Sequence, residues 1–335
     1  MNDAKLGKKE RFFTHTSFGY ASRRHGILPT LLFLGSLGLL SSIIPAFNQQ
    51  ITQKTSTTTS SADGTTSSCR QQLDKLEDQF NRQRQARINS MLTLNLTMTK
   101  RTQRFDVFEP EALCIADERF GSDIRYHAFG DGPKFVCGVD FIGNKKAKKP
   151  QEECLVYSIG SDNDIQFEKA VHTFLQCETH TFDPTLNEEF KGSEYSTFHP
   201  WGIGADGEMQ RVRKHNFVSK SIHTIMTELG HTNRTIDILK IDCEGCEYES
   251  MPAFFDLIAS KQIRVNQIQI ELHIALYEKV LRLFMAADKA GMRVFHKERN
   301  GWGCAGHRCL EYSFVSESFL RQVNGAMLCG EPFIA

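Results

Sequence analysis

The sequence has no excess charge of either sign, because 40 lysines and arginines are matched by 40 aspartates and glutamates. This balance argues against a nucleic-acid-binding protein that works through a net basic surface. Cysteine is sparse as well, with ten residues in 335, which is too few for a scaffold built mainly from disulfide bonds. The chain is nevertheless 40% hydrophobic and can bury a core, so wholesale disorder is excluded.

One long apolar run lies near the N-terminus. Residues 27–44 read ILPTLLFLGSLGLLSSII, eighteen positions without a charge, which just reaches across a bilayer core of roughly 30 Å. Residues 1–25 carry six basic and two acidic side chains, whereas residues 48–68 carry one of each. The positive-inside rule therefore predicts a single-pass type II membrane protein whose folded part lies in the lumen of the Golgi or endoplasmic reticulum. A cleaved signal peptide is the less favoured alternative.

The segment after this run cannot bury a core. Twelve of the seventeen residues at 52–68 are serine or threonine, which is typical of an extended stem, O-glycosylated or not. Leu73, Leu76 and Phe80 follow at helical spacing and predict a short stem helix, either solvated or self-associating. Glycosylation sequons begin at residues 95 and 233. We predict a cytoplasmic tail, a membrane anchor, a stem and a folded domain at residues 1–26, 27–47, 48–104 and 105–335.

Within the predicted domain, short β-rich runs alternate with helical apolar stripes. Strands are predicted at 154–159, 178–182, 196–203, 236–241, 267–272, 293–296 and 310–315. Helices are predicted at 165–175, 217–229 and 277–290. The alternation predicts an α/β fold with a mainly parallel sheet and helices on both faces. Ligands of such sheets bind at the carboxyl ends of the strands, so those ends are where functional residues are expected.

The first two of these strands end in a pattern that suits a nucleoside. Gly160 permits a sharp turn and is followed by Ser161-Asp162-Asn-Asp, which opens the next helix and offers backbone amides to a polar ligand group. Asp183 ends the second strand, where a carboxylate can accept from both hydroxyls of a ribose. Aspartate is also common there as a turn or cap residue, which is the alternative role for Asp183.

Two further strand ends carry acidic and basic groups. Asp242 directly follows the strand at 236–241, and Glu271 and His273 lie two apart at the end of the next strand. If the two strands are neighbours, these three side chains converge. Two carboxylates and an imidazole can perform general-base chemistry or hold a divalent cation, and we assign no metal ligand among them. A salt-bridged rim without chemistry is the alternative.

These motifs together carry a family resemblance over roughly residues 105–315. The runs are VYSIGSDNDIQFE, THTFDPT, DILKIDCEGCE, QIQIELH, VFHKERN and EYSFV. In this order they resemble the animal methyltransferase-like family of the methyltransferase-like protein 24 type. They are more distantly similar to FkbM-like class I methyltransferases, through the DILKIDCEGCE run.

The resemblance implies a Rossmann-like class I methyltransferase fold, a seven-stranded sheet that ends in an antiparallel hairpin, with S-adenosyl-L-methionine as the methyl donor. It implies that Gly160, Ser161 and Asp162 line the methionine and ribose part of the donor site. Asp183 would bind the ribose hydroxyls, and Asp242 would face the methyl-transfer centre. The sequence departs from the family pattern in having a single glycine after the first strand.

The predicted reaction is in-line transfer of the sulfonium methyl group to a hydroxyl oxygen. His273 is the predicted base, oriented by Glu271 or Asp242, and these three form the predicted catalytic set. The predicted lumenal position suggests a glycan or secreted protein as acceptor, and the donor would then have to be imported from the cytosol. No nucleic-acid partner is expected.

Two other functions remain open at this stage. A type II glycosyltransferase is suggested by the anchor, the stem and the Asp162-Asn-Asp164 run, which resembles a metal-binding D-x-D motif. A membrane-tethered binding protein without catalysis is the other. For the cysteine pairs at 243/246 and 304/309, disulfides or buried thiols are favoured over zinc.

Overall fold

The computed structural model describes residues 62–93, 105–126, 128–143, 153–186, 190–212, 214–302, 304 and 308–333. The predicted cytoplasmic tail and membrane anchor lie outside these residues. Among the helices of the described part, none is both long enough and apolar enough to cross a membrane.

Strands and helices alternate along most of the described chain. The strands are β1 Asp117–Phe120, β2 Lys134–Cys137, β3 Leu155–Ile159, β4 Glu178–Phe182, β5 Thr197–His199, β6 Gly202–Ile203, β7 Met209–Val212, β8 His215–Lys220, β9 Thr235–Ile241, β10 Arg264–His273, β11 Met292–Arg299 and β12 Cys309–Ser316. The helices are α1 Ala62–Thr93, α2 Val139–Gly143, α3 Gln166–Ala170, α4 Ile222–Glu228, α5 Glu247–Ala259, α6 Tyr277–Lys289 and α7 Glu317–Cys329. A π-helical turn, Val171–Leu175, continues α3.

Seven strands form the main sheet in the order β11-β12-β10-β9-β3-β4-β5. Neighbours from β10 to β5 are parallel, and β12 runs antiparallel to both β10 and β11. The α/β fold with a seven-stranded, mostly parallel sheet is therefore confirmed. The chain builds outward from β3 through β4 to β5 and then returns to β9, so the strand order reverses between β3 and β9. Their carboxyl ends flank the crevice where a ligand of such a sheet binds.

The sheet is covered on both faces, because successive residues of its central strands are buried on opposite sides. Leu155, Tyr157 and Ile159 of β3 join a core with residues of α4, α5 and α6. Val156 points the other way, into a second core with residues of α2, α3 and α7. Strands buried on both faces read as continuous apolar runs, which explains why β3 and β9 were visible in the sequence.

The predicted stem helix differs from expectation in length and in position. It is α1, Ala62–Thr93, 32 residues long, and it packs on α7. Leu73 and Met91 are buried, and Cys69 forms a disulfide with Cys329 at the end of α7. The apolar stripe of this largely polar helix is thus covered by the domain itself.

Helix α1 belongs to the same compact unit as the sheet, Ser60–Ala335, and the domain bounds given in the sequence analysis stay a prediction. Arg70 on α1 also forms an ion pair with Glu331, beyond α7. Charged contacts of this kind cannot be read from helical periodicity, which indicates only where the apolar face lies.

Two predicted elements are corrected in the region after β4. The single strand predicted at 196–203 is divided into β5, in the main sheet, and β6, in a separate sheet with β8 and β7. Pro200 lies at the division, where its missing N–H prevents the ladder from continuing. The helix predicted at 217–229 begins only at α4, because Ser221 caps it by accepting from the amide of Thr224 at 3.1 Å.

All ten cysteines are paired in five disulfides. The pairs are Cys69–Cys329, Cys114–Cys137, Cys154–Cys177, Cys243–Cys246 and Cys304–Cys309. For the last two pairs, disulfides or buried thiols were expected in preference to zinc ligands. The structure shows that both pairs are disulfides. Cystines of this number are typical of proteins from oxidising compartments.

The disulfide that joins α1 to α7 is expected to contribute far more to stability than the short loop of Cys243–Cys246. The first closes a sequence separation of 260 residues and the second a separation of 3. Loop-closure entropy then predicts a loss of about 5 kcal/mol for the double serine variant of Cys69 and Cys329, against about 2 kcal/mol for the matched variant of Cys243 and Cys246. Urea unfolding measures both, and equal losses would contradict the loop argument.

Candidate active site

A cavity of about 330 Å³ opens at the carboxyl ends of β3, β4 and β9. Its lining includes all five residues predicted for the donor site, Gly160, Ser161, Asp162, Asp183 and Asp242. The predicted catalytic residues Glu271 and His273 do not line it and lie beside it, at the end of β10. A volume of this size, at the point where the strand order reverses, suits a small-molecule ligand.

Gly160 is required by the close approach of two strand ends. Its φ is +73°, and a Cβ atom at this position would lie 1.6 Å from the carbonyl oxygen of Asp242. The Gly160 amide donates to the carbonyl of Phe182 at 2.9 Å, and Lys240 Nζ donates to the Gly160 carbonyl at 3.0 Å. One residue therefore links the ends of β3, β4 and β9, and any side chain there would force them apart.

The loop after Gly160 makes its turn without further glycines. Asp162 and Asn163 both adopt positive φ, 45° and 63°, the left-handed conformation that aspartate and asparagine tolerate best among non-glycine residues. Asn163 Oδ1 accepts from the amide of Lys191 at 3.1 Å, and Asp164 Oδ1 accepts from the amide of Gln166 at 3.1 Å. The departure from a glycine-rich loop is thus compensated by side chains that hold the turn.

Asp183 is buried, and its carboxylate is occupied by the protein. Oδ2 accepts from the amides of Ser161 and Asp162, at 3.0 and 2.9 Å. Oδ1 accepts from the amide and the hydroxyl of Thr185, at 2.9 and 2.6 Å. A carboxylate offers about four acceptor sites, and all four are used here. This geometry favours a role in holding the donor loop, whereas the predicted ribose contact would have to displace one of these donors.

The variant Asp183→Ala separates these two roles. If the carboxylate holds the loop, its removal leaves the amides of Ser161 and Asp162 without their acceptor and lowers the free energy of unfolding of the ligand-free protein by roughly 1–3 kcal/mol. If the carboxylate serves only a ribose, the ligand-free protein keeps its stability. Chemical denaturation without any added ligand makes the measurement, and Thr185→Val, which removes only the hydroxyl donor, is the matched control.

The cavity is strongly acidic. Its lining includes six carboxylates and two lysines: Asp131, Asp162, Asp164, Asp183, Asp242, Glu244, Lys134 and Lys240. Both lysines are buried and already bound, Lys240 to the carbonyl of Gly160 and Lys134 to the carboxylate of Glu311. Burial acts to lower the pKa of Lys134, but the surrounding carboxylates, above all Glu311, raise it overall. The cavity therefore favours a ligand that carries positive charge.

His273 is surrounded by carboxylates, as predicted, but its nearest partner is Glu247. Nδ1 lies 3.2 Å from Glu247 Oε1, and Nε2 lies 3.4 Å from Glu244 Oε2. Atoms of Asp242, Glu247 and His273 come within 4.8 Å of one another, so Asp242 and His273 do converge. Glu271 also has an atom within 4.8 Å of His273, in a group with Cys304 and Cys309, and it accepts a hydrogen bond from Asn300 at 3.0 Å. Glu247 was missed because it follows the strand end by six residues, at the start of α5.

These contacts change the charge states at the edge of the cavity. Burial lowers the pKa of His273, but the hydrogen bond to Glu247 and the charges of Glu247, Glu271 and Asp242 outweigh it and raise the pKa to about 9. Burial, together with Glu311 and Asp242, raises the pKa of Glu271 to about 8. At neutral pH His273 is therefore a cation and a hydrogen-bond donor, which does not suit the predicted role of general base.

The raised pKa of His273 predicts a pH-dependent contribution to stability. A group whose pKa rises on folding stabilises the protein fully below its unfolded value, near 6.5, and loses that contribution as pH rises through about 9. We expect His273→Gln to lower the free energy of unfolding by roughly 2–3 kcal/mol at pH 6 and much less at pH 10. NMR titration of the imidazole gives the pKa directly, and a value near 6.5 would contradict the prediction.

Comparison with known proteins identifies the domain. A family model described as a methyltransferase domain matches residues 74–316. No curated protein matches the chain. Among solved structures, FkbM from Methylobacillus flagellatus KT is 12% identical, with a TM-score of 0.32 over 50% of this chain.

The chain spans 45% of the length of that FkbM structure. The antibiotic-resistance methyltransferase Kmr is 9% identical, with a TM-score of 0.30 over 60% of this chain and 99% of its own. The mitomycin 7-O-methyltransferase MmcR is 10% identical, with a TM-score of 0.23 over 53% of each chain. Since the family model covers most of this chain, from α1 through β12, the protein belongs to the methyltransferase-domain family.

Proposed function

We propose that the chain is an S-adenosyl-L-methionine-dependent methyltransferase that modifies a hydroxyl group of a glycan or protein in the secretory pathway. One observation carries the donor assignment, the acidic cavity at the carboxyl ends of β3, β4 and β9 in a chain of the methyltransferase-domain family. S-adenosylmethionine carries a sulfonium and an ammonium cation against one carboxylate, so its net charge is positive, and this lining supplies the complementary charge.

The residues present fit this donor. Gly160, Ser161, Asp162 and Asp164 line the cavity, and Trp201 contributes an aromatic side chain to the same lining. The bound donor supplies an activated methyl group on its sulfonium. The protein's part is to hold the acceptor oxygen in line with that group and to take up the hydroxyl proton.

We propose that Asp242 is the base that takes up the hydroxyl proton of the acceptor. It lines the cavity at the end of β9, and its amide donates to the Ile159 carbonyl at 2.9 Å, which fixes its backbone against β3. His273 lies next to it as an imidazolium and stabilises negative charge at this edge. In this assignment His273 positions and balances the carboxylates, and Asp242 replaces it as the base.

The acceptor and the compartment remain part of the proposal. Five disulfides support an oxidising compartment, in agreement with the type II topology expected from residues 27–47. Asn233, in the second sequon, is exposed. The finer assignment to the animal methyltransferase-like family rests on the sequence motifs described above.

Calorimetry on the full chain in mild detergent tests the donor. S-adenosylhomocysteine is compared with a UDP-sugar plus manganese, because Asp162 and Asp164 both line the cavity as a D-x-D pair. Micromolar binding of S-adenosylhomocysteine supports the proposal. Binding of the UDP-sugar alone would contradict it and indicate a glycosyltransferase. Failure of both ligands to bind would favour a tethered protein without catalysis. Labelled methyl transfer to secreted glycoproteins, before and after glycan removal, then identifies the acceptor.

A further inference from the structure

A second cluster of ligand-type side chains lies away from the donor cavity, at the amino end of β4. Glu178 and His180 are two apart on this strand and therefore stand on one face of the sheet. His231, in the loop between α4 and β9, reaches the same point. His180 and His231 are each 6% exposed. None of the three lines the donor cavity.

Three atoms of this cluster converge. His180 Nε2 lies 2.9 Å from Glu178 Oε1, and His231 Nε2 lies 3.2 Å from the same oxygen. The three atoms lie within 4.8 Å of one another. An ion bound at about 2.0–2.1 Å from each would need only small adjustments of these side chains. Two imidazoles and one carboxylate, with a fourth position left to water, are a common zinc ligand set.

The outer atoms of the three side chains are also held. His180 Nδ1 is 2.9 Å from His199 Nε2, and His231 Nδ1 is 2.8 Å from the hydroxyl of Tyr157. Each partner can accept the proton that an imidazole carries on Nδ1 when its Nε2 binds a metal. Such outer contacts fix the ring orientation of ligating histidines.

The remaining oxygen of Glu178 is directed away from the convergence point. Arg234 forms an ion pair with Oε2, which leaves Oε1 as the single ligand atom of this carboxylate. The Glu178 side chain is 34% exposed, so water has access to the fourth position. Cysteine does not compete for the ion, because all ten cysteines are in disulfides.

We propose that Glu178 Oε1, His180 Nε2 and His231 Nε2 bind one Zn²⁺ ion. The ion joins the first residues of β4 to the loop that leads into β9, two segments separated by about fifty residues of chain. It also fixes His199, whose ring lies 4.5 Å from that of Trp201 in the wall of the donor cavity. The site is independent of the proposed methyl transfer.

Zinc titration of the full chain tests this assignment. The protein is stripped with a chelator, and ZnCl₂ alone is added in a calorimeter while the melting temperature is followed. We expect one Zn²⁺ per chain and a higher melting temperature in the loaded protein. Glu178→Gln and His231→Gln should each weaken zinc binding by about 100-fold or more, beyond the 10–100-fold typical of outer-contact changes such as His199→Gln.

Two control variants keep the result specific. His223→Gln removes an exposed histidine on α4, and His273→Gln removes the histidine of the other acidic cluster, and both should bind zinc as the wild type does. Co²⁺ in place of zinc on the unmodified chain should give the visible absorption of a tetrahedral site, which needs no variant to fold. The proposal is overturned if the wild-type chain binds neither ion, or if zinc binding persists unchanged in Glu178→Gln and His231→Gln.

Discussion

Replacing Gly160 with alanine is expected to abolish donor binding. The added Cβ would lie 1.6 Å from the Asp242 carbonyl oxygen, a backbone atom that cannot rotate away. The φ of +73° adds strain of its own, about 1–2 kcal/mol for a non-glycine residue. Separation of β3 from β9 displaces both the donor loop and Asp242, so S-adenosylhomocysteine affinity should fall by at least about 100-fold, the effect of roughly 2.7 kcal/mol.

Gly207 provides the matched control. Its φ is +76°, nearly that of Gly160, yet nothing lies within 4 Å of the Cβ that alanine would add. Gly207→Ala therefore pays the conformational strain without the collision. We expect it to lose about 1 kcal/mol of stability and to keep donor affinity. Calorimetry and urea unfolding of both variants make the comparison. Similar donor affinity in the two variants would show that the close approach of β3 and β9 does not shape the site.

The sequence indicated that Gly160 is important, but it showed only part of the reason. A glycine after an apolar strand predicts a turn, and β4 was predicted with the bounds that the structure has. The strands β3, β9 and β10 were also predicted, since strands that are buried on both faces are rich in apolar and β-branched residues. What periodicity cannot give is which backbone atom lies opposite a glycine, because that depends on the order of strands in the sheet.

Several elements escaped prediction or were predicted with the wrong length. Helix α5 was not predicted, and its sequence contains Pro252. Helix α1 was predicted too short, since Leu73, Leu76 and Phe80 mark only part of its 32 residues. Its disulfide joins Cys69 to a residue 260 positions away. Pairings of this range are not encoded in local spacing.

In the candidate site, the positions of the predicted strand ends indicated where the functional side chains lie. They did not indicate which groups those side chains bind. The convergence of Asp242 and His273 followed from neighbouring parallel strands. The occupation of Asp183 by Thr185 and the donor loop did not, because hydrogen-bond direction requires coordinates. The charge of His273 depends chiefly on Glu247, which belongs to a helix that sequence periodicity did not reveal. The proposed base is therefore a carboxylate, Asp242, and not the imidazole.

This reassignment makes Asp242→Asn the most informative catalytic variant. Asparagine keeps the size of the side chain and its place at the end of β9 but cannot take up a proton. We expect turnover to fall by roughly 10²–10⁴-fold. S-adenosylhomocysteine affinity should change by less than about tenfold, because a group that acts on the transferring proton contributes little to binding of the spent donor.

Glu244→Gln is the control for charge alone. Glu244 also lines the cavity and lies 3.4 Å from His273 Nε2, but its side chain is half exposed. Glu244→Gln removes one negative charge from the cavity lining, as Asp242→Asn does. It should leave turnover within about tenfold of the wild type. Equal losses in the two variants would indicate a general electrostatic effect and remove the base role from Asp242.

The pH profile of the wild-type enzyme distinguishes Asp242 from His273. If the neutral imidazole of His273 were the base, only a small fraction of the enzyme would be active at neutral pH, and the rate would rise up to a pH of about 9. If His273 is not the base, the rise toward pH 9 is absent, and His273→Gln lowers the rate without changing the shape of the profile. If the wild-type rate rises up to pH 9 and this rise is absent in His273→Gln, the histidine is the base. A flat profile in both proteins, together with the loss in Asp242→Asn, assigns the proton to the carboxylate at the end of β9.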